Sequence, residues 1–105
     1  MRITGIVVAL LSLTTAYAAG DAKLGKAAYT AHCQNCHGAT GVANPSIVKM
    51  MKTEIPSLGS ADVQKMSDEE LKKVITDGKG KMPPTRTVTG KSVDDVVAYI
   101  RTLKK

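Results

Sequence analysis

The sequence predicts an all-α domain, and three observations carry that prediction. A helix-start pattern stands at Ser67-Asp68-Glu69-Glu70. A broad apolar face recurs at helical spacing through Val93, Val96, Val97, Ile100 and Leu103. No β-branched strand run precedes Cys33, so alternating strand and helix patterns are not in evidence there. With 105 residues the chain is long enough for one small domain.

Residues 1–18 read as a signal peptide rather than as part of that domain. Arg2 is the one basic residue, an apolar stretch runs from Ile6 to Leu13, and Ala16-Tyr17-Ala18 supplies a small-residue cleavage site. The apolar stretch is too short for a comfortable membrane span, although an uncleaved signal acting as an anchor is the competing reading. Cleavage after Ala18 leaves residues 19–105 as the mature domain, expected outside the cytoplasm in a periplasm.

The first helix is expected from an N-cap at Asp21 to about His32 or Cys33. Gly25, Tyr29 and Cys33 are spaced i, i+4, i+8 and share one stripe. A helical glycine costs about 1 kcal/mol relative to alanine, and close approach of another helix would justify it; a tolerated surface glycine is the alternative. Gly38 to Pro45 reads as a loop, Pro45 to Lys52 as one or two helical turns, and Ser60 to Gln64 as another short helix. Ser67 at N-cap with Glu70 at N3 forms a capping box, with Met66 and Leu71 as its hydrophobic staple. That helix buries Leu71, Val74 and Ile75 and stops near Asp77, with Gly78 at C′. The last helix is expected to begin at Ser92, with Asp95 at N3, and to run to about Leu103.

The chemistry of the chain is concentrated in Cys33-Gln34-Asn35-Cys36-His37. This C-x-x-C-H pattern holds both cysteines and one of the two histidines, and in an exported protein it marks a c-type haem attachment site. On a helix, thiols three residues apart lie on one face, where they can form thioethers with the two vinyl groups on one porphyrin edge. The adjacent His37 can then bind the iron as proximal ligand. Other uses of the same pair are a simple disulfide, a zinc site or a redox dithiol. Zinc would require His32 beside His37 on the same short stretch, and His32 otherwise reads as an ordinary helix residue. A thiol-disulfide oxidoreductase would place Cys33 and Cys36 at the start of a helix that follows a strand.

Export and composition support the haem reading. Haem is attached to such proteins outside the cytoplasm, after any Cys33–Cys36 disulfide has been reduced. The chain has no Phe and no Trp, and cleavage leaves Tyr29 and Tyr99 as its aromatic residues. So poor an apolar inventory suits a small domain whose core is completed by a porphyrin, and the apoprotein is expected to be largely unfolded. The formal charge is +6, and loss of Arg2 leaves +5, from which ionised propionates would subtract about two more. A modestly basic carrier fits redox donors and acceptors with acidic docking patches. The expected partners include no nucleic acid and no stable membrane insertion, and the mature chain is expected to be a monomer.

A second axial ligand is sought among the methionines. Met1 leaves with the signal, Met66 serves as the staple, and Met50 and Met51 sit in an apolar stretch suited to gap filling. Met82 stands in Gly78-Lys79-Gly80-Lys81-Met82-Pro83-Pro84, between glycines that let the backbone bend and prolines that hold it extended. It is the candidate sixth ligand, and iron bound by His37 and Met82 has no open position. That set favours electron transfer over catalysis; a haem sensor or enzyme with an open iron site is the alternative.

Taken in order, these motifs resemble the class I c-type cytochromes, in particular the small bacterial ones. The resemblance rests on Gly25-x-x-x-Tyr29-x-x-x-Cys33-Gln34-Asn35-Cys36-His37-Gly38, on Leu71 to Gly80 followed by Lys81-Met82-Pro83-Pro84, and on Val97-Ala98-Tyr99-Ile100. It implies the cytochrome c fold: N- and C-terminal helices crossing, and short helices wrapped around one covalent haem c. It also implies that Gly25 and Tyr29 cross against Val96 and Tyr99, and that Lys79, Lys81 and Arg86 lie near the exposed haem edge. Pro45 is the candidate to offer its carbonyl to the His37 ring N–H. Met50, Met51 and Leu58 are candidates for shielding the Met82 side.

Overall fold

The computed structural model describes Gly5 and residues 20–105; the signal peptide and its cleavage site lie outside the described residues. Six helices follow one another without a strand among the described residues: α1 (Ala22–His32), α2 (Gln34–His37), α3 (Pro45–Met51), α4 (Ala61–Gln64), α5 (Asp68–Asp77) and α6 (Lys91–Thr102). The all-α expectation holds, and each predicted helix has a counterpart.

Local chemistry sets the ends of most of these helices. Asp21 caps α1 by accepting from the amides of Lys23 and Leu24, Asn44 caps α3, and Ser60 caps α4. At α5 the capping box is complete: the Glu70 amide donates to Ser67 Oγ at 3.1 Å and the Ser67 amide donates to Glu70 Oε1 at 3.2 Å. Donation from the Ser67 amide, and then from the Ser67 hydroxyl, holds the Glu70 carboxyl below its ordinary range. Gly78, at φ +78°, ends α5.

The architecture is organised by α1 crossing α6. A Cβ at Gly25 would fall on the Asp95 carbonyl, and Gly20 makes an equally close approach at Asp94. The glycine in the first helix therefore marks the crossing. One turn further on, the Tyr29 and Tyr99 rings meet with centroids 5.0 Å apart at 57°. Val96, fully buried, and Val97 and Ile100 extend this contact into the core, where Leu71 and Ile75 of α5 join them.

The start of α6 corrects the sequence expectation. The helix begins at Lys91 behind Gly90, whose φ is +56°, and Ser92 makes no capping bond. Asp95 is buried and reaches across to α1, its Oδ1 accepting from the Asp21 amide at 2.7 Å. An acidic residue that suits an N3 position by spacing is thus committed to holding the crossing, where it satisfies an amide left free at the start of α1.

Arg101 closes the other end. Its guanidinium donates to Asp68 Oδ1 from Nε at 3.1 Å and from Nη2 at 2.7 Å, and to the carbonyls of Gln64 and Met66. Gln64 Nε2 in turn donates to the carbonyls of Leu58 and Ile100. These bonds pin the junction between α4 and α5 onto α6, and Met66 packs against the core as the staple requires.

Candidate cofactor site

The C-x-x-C-H segment does not simply continue α1. Cys33, at φ −120°, breaks the helix, and α2 restarts at Gln34 as a single turn carrying Cys36 and His37. The Cys33 amide still donates to the Tyr29 carbonyl and the His37 amide to the Cys33 carbonyl, so the two turns are linked end to end. Gly38 follows at φ +76°, in a position where a Cβ would strike the Val42 carbonyl. The Tyr29 hydroxyl donates to the Gly38 carbonyl at 2.6 Å, fastening this turn to α1. The Asn44 amide donates to the Cys36 carbonyl and the Leu58 amide to the Gly41 carbonyl, so the loop after His37 is stitched down on both sides.

Met82 is carried on a tight hairpin. Lys79 and Met82 exchange two backbone hydrogen bonds of 2.9 Å, with Gly80 at φ +57° in the turn between them. At the base of the hairpin, a Cβ on Gly78 would press on the Met82 carbonyl, so glycine there permits the fold-back.

A cavity of about 390 Å³ is lined by Cys33, Cys36, His37 and Met82 together. Its remaining wall is mainly apolar, including Leu58, Leu71, Val74, Ile75 and Ile100. The four site residues read from the sequence, from segments nearly fifty positions apart, therefore share one cavity.

The electrostatics of the site suit ligation better than thiol chemistry. Burial, reinforced by the neighbouring Cys36, pushes the Cys33 thiol up to about 11. A redox dithiol needs the opposite shift, toward a thiolate near neutral pH. Burial also lowers the His37 imidazole from its ordinary value and so favours the neutral form, the form that binds a metal. His37 Nδ1 is buried with no hydrogen-bond partner. Two thiols, a neutral imidazole and a thioether in an apolar cavity fit a covalent haem. Among the described residues no cluster of His, Cys, Asp and Glu suits a free metal ion, which gives zinc no support.

Several expectations around the site are corrected. With His37 Nδ1 unpartnered, the Pro45 carbonyl does not accept from it; Pro45 instead occupies the first position of α3 behind the Asn44 cap. Met50 is 71% exposed and away from the cavity, whereas Met51 and Leu58 line it. Lys79 and Lys81 stand at the cavity while Arg86 does not. His32 is exposed, as an ordinary helix residue should be, and meets Thr87 Oγ1 at 3.2 Å. Sequence reasoning missed Ile55, Pro56 and Val63 as cavity wall, and the irregular Ile55-Pro56 stretch was the available signal.

Comparisons with known proteins point to one family. The family model described as cytochrome C oxidase, cbb3-type, subunit III, matches residues 20–100. Cytochrome c6 of Rippkaea orientalis is 30% identical over 90 residues, covering 84% of this chain and 76% of the relative. Cytochrome c6 of Gloeothece citriformis is 34% identical over 86 residues, covering 78% and 71% respectively. The solved structure of the KustC0563 c-type cytochrome superposes with a TM-score of 0.66 at 27% identity, covering 77% of this chain and 98% of that one.

Proposed function

This chain belongs to the class I c-type cytochromes and carries covalently bound haem c as an electron carrier, and from that premise we propose a periplasmic carrier ligated by His37 and Met82. The observation that supports it most is the meeting of Cys33, Cys36, His37 and Met82 on one apolar cavity. When bound, the haem supplies one-electron chemistry at an iron that cycles between the ferric and ferrous states. Cys33 and Cys36 would hold the group as thioethers, and His37 and Met82 would ligate its iron.

The surrounding residues then have defined tasks. Tyr29 and the stitched loop after His37 fix the proximal turn, and the apolar wall excludes water, which with a thioether ligand favours the ferrous state. With both His37 and Met82 as ligands the iron would have no open position for a substrate, which favours a carrier over an enzyme. Exposed Lys79 and Lys81 at the cavity favour donors and acceptors with acidic patches. Among the described residues no helix is long and apolar enough to cross a membrane; the mature domain of this reading is residues 19–105, after signal cleavage.

Met82→Ala in the haem-loaded protein tests the ligand set. The expected result is loss of the six-coordinate low-spin spectrum and a fall in potential. An unchanged spectrum would remove Met82 from the assignment and restore the open-site sensor or enzyme. Titration of free thiols in natively matured protein separates the dithiol reading, since thioethers do not react.

A further inference from the structure

The hairpin that presents Met82 is held to its neighbours by few bonds. Its paired residues bond each other, and the chain rejoins the body only where the Thr85 amide donates to the Ile75 carbonyl at 2.8 Å. Gly78 and Gly80, both at positive φ, let the backbone fold back on itself here without tying it to another element. Among the described residues, one hydrogen bond leaves residues 79–84 for another element: Lys81 Nζ donates to the Met51 carbonyl at 2.5 Å. The two residues are thirty positions apart, and both line the cavity.

The acceptor explains why a lysine suits this place. Met51 is the last residue of α3, and its carbonyl is among those that a helix end leaves without an internal partner. The amides of Lys52 and Thr53 both turn back to Val48, which leaves the Met51 carbonyl for an outside donor. An ammonium group there also meets the negative end of the helix dipole. Lys81 thus caps α3 from across the cavity.

We propose that Lys81 is a positioning residue for Met82: its bond to the Met51 carbonyl straps the hairpin against α3 and keeps the Met82 thioether from swinging away from the iron. This rests on the reading of Met82 as axial ligand. Lys79 is the internal control, because it carries the same charge on the same hairpin and its side chain makes no bond to α3.

The test compares oxidised, haem-loaded wild type with Lys81→Met, Lys81→Arg and Lys79→Met, measuring the affinity for added imidazole, which competes with the thioether for the iron. Lys81→Met should bind imidazole about five- to tenfold more tightly, the scale of one net hydrogen bond lost at an exposed site. Lys81→Arg should restore most of the wild-type value, and Lys79→Met should leave it within about twofold, as expected of a surface change away from such a bond. Equal affinities for Lys81→Met and wild type, or an equal rise in Lys79→Met, would overturn the strap. Met82→Ala measured alongside distinguishes the failures. If it alters the spectrum while Lys81→Met changes nothing, the strap alone is wrong; if it leaves the spectrum unchanged, the ligand reading fails first.

Discussion

Tyr29 shows how much of the site depends on one side chain. It is 1% exposed, packs its ring at a tilt against Tyr99 and donates to the Gly38 carbonyl at 2.6 Å, so it joins the helix crossing to the turn that carries His37. Burial, with smaller contributions from Cys33 and Tyr99, pushes its hydroxyl up to about 12. The folded protein therefore keeps this proton to higher pH than the unfolded chain, whose tyrosines ionise near pH 10. The resulting stabilisation is present below about pH 10 and is lost as pH rises through about 12. Tyr29→Phe should be less stable than wild type by about 1–3 kcal/mol at neutral pH, because a part-buried carbonyl loses its donor. It should also lose the added alkaline sensitivity between pH 10 and 12, which denaturant melts across that range would reveal. Gly25→Ala carries a different cost. Its methyl would meet the Asp95 carbonyl, so thermal melts should show a loss of about 3 kcal/mol or more, at the upper end for overpacking because backbone must move.

Among the helices, α5 and α6 test what spacing alone can say. Both carry a serine followed three residues later by an acid, and only Ser67 forms the capping box. Ser67→Ala should cost about 1 kcal/mol, whereas Ser92→Ala should fall within about 0.5 kcal/mol of wild type in denaturant melts. The helices themselves were legible because caps, staples and apolar stripes are local. The roles of Asp95, Arg101 and Lys81 were not, since their partners are 74, 33 and 30 positions away. The candidate site was legible for a similar reason. C-x-x-C-H is a local constellation, and Met82 announced itself by the glycines and prolines around it. The turn at Cys33 and the unpartnered His37 Nδ1 depend on how the next loop packs, which no residue spacing encodes.

For the molecule as a whole, the cofactor is part of the core. The buried apolar residues are mostly valine, leucine and isoleucine around a single fully buried tyrosine, and several of them face the cavity. Without haem the apolar wall of this cavity, formed by Leu58, Leu71, Val74, Ile75 and Ile100, has nothing to pack against, and a domain of this size has little other core to rely on. A Cys33→Ala/Cys36→Ala double variant, which cannot form thioethers, should therefore purify largely unfolded, with far-ultraviolet circular dichroism well below that of the native protein. Retention of full helix content without haem would show that the polypeptide core suffices. The net positive charge acts at longer range: electron exchange with an acidic partner should slow as salt rises, through its association step.

Covalent attachment of haem and ligation of its iron by both His37 and Met82 can be tested on one sample. Protein matured in a periplasm would be measured by intact mass and by its reduced-minus-oxidised visible spectrum. The expected result is a chain beginning near Ala19, heavier by one haem, with a six-coordinate low-spin spectrum. An unmodified mass with reactive Cys33 and Cys36 thiols would contradict it.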